Sequence, residues 1–195
     1  MSTLRVNNIQ SVTSTSPVSI NDSLIISGNS IHTSTTNGVA FGSNTLASGS
    51  YTFAHGGSTI AKGLFSHAEG NSTIAQGNYS HAEGSATFAS GGYAHAEGRY
   101  SSASGNYSHA EGLGTIASGP YQHTQGRYNI ADSNENTLVI IGNGTSTSTR
   151  SNLAVFKTGS ILLDTGSIPT SSVGASVGQL YRTGSNFDEI RIKLV

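Results

Sequence analysis

The pentapeptide Ser80-His81-Ala82-Glu83-Gly84 sets a hydroxyl, an imidazole and a carboxylate side by side, the three groups of nucleophilic acyl transfer. It is not a single event. His67, His81, His95, His109 and His123 recur every 14 residues; Glu69, Glu83, Glu97 and Glu111 follow the first four, and Gln125 follows the fifth. A triad needs its hydroxyl to reach its imidazole, but neighbours on a strand point to opposite faces, which separates Ser80 from His81. Near-copies along a rod also suit a structural ladder better than one active site. The chain is therefore expected not to be an enzyme. His at i and Glu at i+2 do share a strand face, which raises metal ligation by a ladder through His67, His81, His95 and His109. The competing reading is a stack of His–Glu hydrogen bonds without metal, and it is the one adopted here, since the Cys and further acidic ligands of metal sites are missing. No metal and no cofactor are assigned.

An aromatic column runs at the same period: Tyr51, Phe65, Tyr79, Tyr93, Tyr107 and Tyr121. It reads as a carbohydrate-binding stripe or as a packing ladder. Rungs about 4.8 Å apart fall within the range of aromatic neighbours, so the ladder is expected.

The elements that must hold these columns follow from a shorter period. Gly recurs at every seventh position from Gly42 to Gly126, through Gly70, Gly77, Gly84, Gly91, Gly98 and Gly105. Ala stands two residues earlier, as in Ala75, Ala82 and Ala89; Thr124 interrupts that column and Ala131 resumes it. Two kinds of heptad alternate, one carrying His and Glu, the other an apolar column of Leu46, Ile60, Ile74, Phe88, Ile116 and Ile130, with Ser102 an exception. The rung around Phe53 and His55 departs from the pattern. Helix is implausible, because two Gly in every 14 residues would each cost about 1 kcal/mol relative to Ala. Strand fits the alternation of Ser-x-Ala-x-Gly, with 14 residues making a coil of two short strands and two turns. Gly at each strand end is expected to supply turn conformations that a Cβ forbids. The small-residue face, including the Thr column, must point inward.

Composition agrees. Of 195 residues, 25 are Gly, 10% are charged and 34% are hydrophobic, which leaves little for a conventional core. A net charge of −1 supplies no field for nucleic acid, and no apolar run approaches a membrane span. There is no Cys for a disulfide framework, and no apolar segment behind Met1–Arg5, so a cleaved secretory signal is not expected. Burying Ala and Ser yields little at about 25 cal/mol per Å² against about 1–2 kcal/mol of backbone entropy per residue. An obligate homo-oligomer follows.

The repeat resembles the head of trimeric autotransporter adhesins, the YadA-like family, over residues 39–131. Their unit, Ser-Val-Ala-Ile-Gly followed by Thr-x-Ala-x-Gly, is similar to Ser80–Gly84 followed by Thr87-Phe88-Ala89-Ser90-Gly91. The resemblance implies an all-β, left-handed parallel β-roll, a homotrimer around a common axis, and an adhesive or spacer role. Alignment to that motif turns His81, Glu83, His95, Glu97, His109 and Glu111 toward the axis as trimer-interface candidates; hydrophobicity turns Ile74 and Phe88 there instead. A threefold axis would also gather three imidazoles, as in three-His zinc sites.

The flanks resemble tail-fibre proteins of tailed bacteriophages: Ser2–Gln10, Thr137–Thr145 with Asn152–Gly159, and Gly178–Gly184 with Glu189–Leu194. Residues 1–38 read as a β segment for particle attachment, with runs Leu4–Val12 and Val18–Ser27. Residues 132–195 read as a distal β domain ending in a hairpin, Gln179–Arg182 with Glu189–Val195. The expectation is a virion fibre or spike, made in the host cytoplasm, that contacts other tail proteins through its N-terminal segment and a host receptor or glycan through loops 142–152 and 165–178. A bacterial surface adhesin head, or a fibre of another contractile particle, is the alternative. No receptor-binding residue is assigned.

Overall fold

The computed structural model of the protein describes residues 30–33, 37–163, 180–183 and 189–192, with side-chain surroundings for 37–160. Among the described residues there are strands, turns and loops, and no helix. The N-terminal runs Leu4–Val12 and Val18–Ser27 and the loop 165–178 lie outside them.

One sheet carries the His/Glu heptads. It starts with β1 (Ser30–Thr33) antiparallel to β2 (Val39–Ser43). A second, six-stranded sheet carries the apolar heptads and starts with β3 (Leu46–Ala47). The chain then alternates between the two: β4 (Phe53–Gly57), β5 (Ile60–Ala61), β6 (His67–Asn71), β7 (Ile74–Ala75), β8 (His81–Ser85) and β9 (Phe88–Ala89). It continues through β10 (His95–Ala96), β11 (Ser102–Ala103), β12 (His109–Ala110), β13 (Ile116–Ala117) and β14 (His123–Arg127). From β2 to β14 the pairing within each sheet is parallel and in register at 14 residues: His81 opposes His95, and Ile74 opposes Phe88. This is the parallel β-solenoid that the heptads predict.

The His/Glu sheet does not stop at the last coil. β15 (Thr137–Asn143) pairs parallel with β14, and β16 (Asn152–Lys157) and β17 (Ser160–Leu163) extend it antiparallel, giving 11 strands. Separately, β18 (Leu180–Thr183) pairs antiparallel with β19 (Glu189–Ile192), the expected hairpin.

Two Ala columns meet between the sheets, and thirteen Ala form a single buried cluster from Ala40 to Ala117. Thr59, Thr73, Thr87 and Thr115 are fully buried beside them. The coils are closely stacked, as the glycines show. A Cβ on Gly77 would overlap the backbone carbonyl of Gly91 in the next coil, and one on Gly84 would overlap that of Gly98. The two Gly series nevertheless differ. Gly84 has φ +103 while Gly77 is not left-handed, so half of the column answers to close stacking alone. The expectation that each strand-ending Gly supplies a turn conformation holds for one series only. In the roll the other left-handed positions lie two residues after each Gly and, Gly114 apart, carry side chains: Tyr79 and Tyr93, each φ 59, in one turn series, Ser72 and Ala86 in the other.

Candidate functional site

The imidazole–carboxylate face is the densest chemistry on the chain. Because His81 and Glu83 flank a buried Ala82, both project from the outer side of their sheet and stay half-exposed. In-register stacking brings like onto like: the His67, His81, His95, His109 and His123 rings stack with centroids 4.7–4.8 Å apart. The carboxylates do not pair within a rung. Each His meets the Glu twelve residues earlier, one coil back: His95 Nε2 lies 3.3 Å from Glu83, His109 Nε2 3.1 Å from Glu97, and His123 Nε2 3.4 Å from Glu111.

The ladder is irregular at its start. Phe53 stands in the His column and His55 in the Glu column, directly over Glu69. Glu69 therefore lies between two imidazoles, with His55 Nε2 at 3.3 Å and His81 Nε2 at 3.5 Å. His67 is left without a carboxylate one coil back. Its ring sits against Phe53 (5.2 Å) and His55 (5.8 Å), and its Nε2 is buried with no hydrogen-bond partner. Burial and then the stacked His81 hold its pKa below the usual imidazole value, against the opposing pull of Glu69.

The triad geometry is absent from these rungs. The Ser80 hydroxyl is buried and donates to the Gly77 carbonyl at 2.6 Å, on the side of the strand away from His81. The aromatic column forms the ladder: successive rings from Tyr51 to Tyr121 stack at 4.7–5.5 Å, nearly parallel, while remaining 44–67% exposed. Asn78 and Asn106 tie the same turns together, each side-chain oxygen accepting from a backbone N–H one coil back, Leu64 and Gly92, at 2.9 Å.

At the C-terminal end, residues that broke the repeat take up a different role. Asn129 accepts from Ile116 N–H at 2.7 Å and donates to Ile116 C=O at 2.9 Å, so its amide occupies the edge of β13 where another strand would pair. Asn152 does the same for Ile130 (2.7 and 3.0 Å). Gln122, fully buried, accepts from Ser118 N–H and donates to Asp132 C=O. The Asp132 carboxylate accepts from the Asn134 backbone N–H and the Thr137 hydroxyl, and lies 3.0 Å from Lys157; the first of these leads in holding its pKa below the usual carboxylate value. Beside this end a shallow groove of about 510 Å³ runs past Glu97 and Glu111 over Gly98, Gly112 and Gly126, and closes at Gln125 and Ile141. Sequence reading missed the capping amides. Their one signal was negative, a column interrupted at Thr124 and Gln125.

Two stretches match the YadA head domain repeat: residues 36–64 and residues 96–121. The roll is YadA-head-like. Between the matched stretches, β6 to β10 keep the same 14-residue register without a break, so one architecture spans both. The match points to an adhesin-like fibre domain. No curated protein and no solved structure matches the chain.

Proposed function

We propose that the protein is a non-enzymatic, homotrimeric fibre or spike subunit of a tailed-phage particle, acting as a rigid spacer that carries a host-attachment end. The observation that carries the oligomer is the inversion of the usual packing. The core between the sheets is Ala, whereas Val39, Phe41 and Phe53 stand on the outer side of the His/Glu sheet, each about four-tenths exposed. Apolar area is what burial rewards, and here it lies on an outer face that no other described residue covers, which a neighbouring chain would cover in the assembly. The His/Glu face is the one turned to the axis in this reading, and the Gly-floored groove beside Glu97 and Glu111 leaves room for a neighbouring chain. The particle assignment rests on the likeness of Ser2–Gln10, Thr137–Thr145 with Asn152–Gly159, and Gly178–Gly184 with Glu189–Leu194 to phage fibre segments. The N-terminal segment attaches to the particle and the C-terminal β region lies distally.

Light scattering tests the assembly. A mass near three times 20.0 kDa at micromolar concentration is expected, and a monomer sinks the proposal. The YadA-head match favours a second reading, the head of a bacterial surface adhesin. Antibody to the roll should decorate virions under the first reading and intact uninfected cells under the second.

A further inference from the structure

The irregular first rung does something the regular rungs do not. From Glu83 onward each carboxylate is engaged by a single imidazole from the next coil. Around Glu69 three imidazoles gather, those of His55, His67 and His81. The Nε2 atoms of His67, His81, His95 and His123 are all buried without a hydrogen bond, but the last three each have a carboxylate within 3.5 Å, and His67 is the ladder imidazole with none within ion-pair distance among the described residues. A buried ring nitrogen without a partner is unusual, because such atoms are nearly always satisfied.

One ligand atom each from His55, His67 and Glu69 lies within 4.8 Å of the others, as do atoms of His81, Glu83 and His95 and of Glu97, His109 and Glu111 on the regular rungs. Two imidazoles and a carboxylate are a donor set suited to zinc, copper or nickel rather than to calcium or magnesium. Tetrahedral zinc with bonds of about 2.0–2.1 Å needs ligand atoms roughly 3.3 Å apart. The His55 Nε2–Glu69 Oε2 edge already measures 3.3 Å. Small rotations of the half-exposed His67 side chain bring in the third donor. The fourth position falls to water or to His81 Nε2, 3.5 Å from the other Glu69 oxygen. We propose that His55, His67 and Glu69 bind one divalent transition-metal ion of the zinc class at the start of the ladder. The regular rungs look similar but differ in one respect: their His nitrogens already face a carboxylate, and metal would have to break that pair. The site is complete within one chain and so does not depend on the assembly proposed above.

Tag-free, chelator-stripped protein titrated with Zn2+ by calorimetry, and with Cu2+ by electron paramagnetic resonance, tests this. The expected result is saturation at one ion per chain, with nitrogen hyperfine splitting from imidazole ligands. His67→Gln should weaken Zn2+ binding about tenfold or more. His55→Glu restores the carboxylate of the regular rungs opposite His67 and should weaken it as well, while circular dichroism reports an intact roll. His123→Gln, at the far end of the ladder, should leave binding unchanged. Absence of Zn2+ binding in the wild type overturns the site. So does equal weakening by His123→Gln and His67→Gln, which would mean adventitious binding along the whole His face.

Discussion

The middle of the roll and its C-terminal cap solve the same problem by opposite means. Between β4 and β13 every coil finds its backbone partners in identical coils on either side, as when Ile74 N–H donates to Thr87 C=O and Phe88 N–H to Ser101 C=O, both at 2.9 Å. Side chains there need only be small or stackable. After β13 the apolar sheet has no further strand, and the Asn129 amide takes its place on the strand edge. An edge left bare invites further strand addition. The contrast teaches that repetition supplies stability cheaply in the interior and that its termination requires chemistry specific to the end.

Three perturbations break or sharpen that contrast. The largest effect belongs to the middle. Gly77→Ala forces a methyl into the Gly91 carbonyl, which is backbone and cannot swing aside. Loss of more than about 4 kcal/mol is expected, enough to abolish soluble folded protein by circular dichroism. A Gly77→Ala variant that melts like the wild type would mean that the coils are not stacked this closely. Next comes the cap. Asn129→Ala leaves the Ile116 N–H and C=O unpaired at a buried edge, a loss of about 3 kcal/mol. Hydrogen exchange should accelerate at Ile116 while the His81 amide stays protected; uniform acceleration would show that cap and middle unfold as one unit. The smallest effect is electrostatic. Asp132 has a lowered pKa in the fold, so its contribution is present above the ordinary carboxylate range and fades as pH falls through the folded value. Asp132→Asn should remove that acid-side loss of stability, less than about 1 kcal/mol for a pair this open to solvent, as read by urea melts between neutral and acid pH.

The sequence shows the middle far better than the cap, and the reason is geometric. In parallel in-register stacking a column of identical residues is also a line of contacts, so the Ala, Gly, His and Tyr periods translate directly into the Ala core, the Gly contacts and the stacked rings. What periodicity cannot convey is conformation within a rung. The left-handed turn is credited in sequence to Gly, yet Tyr93 and Tyr107 adopt it too, where the exposed ring packs on its neighbours. Nor can it convey diagonal contacts: His95 meets Glu83, not its rung-mate Glu97, because pairing depends on how the side chains lean along the stack. Asn129 and Gln122 stay illegible for another reason. A capping role depends on where stacking stops, and each occurs once.

The alternation of the two Gly series makes the length of this rod countable in whole steps. One series turns left-handed and the other does not, and the two sheets carry different outer columns. Gain or loss of 14 residues would therefore change the reach by one rung of about 4.8 Å and leave every column aligned. Gain or loss of seven would keep Gly over Gly but set Ile over His, and would ask a Gly of one series to take the backbone conformation of the other. Such a molecule can be lengthened or shortened like a chain of equal links, but only link by link.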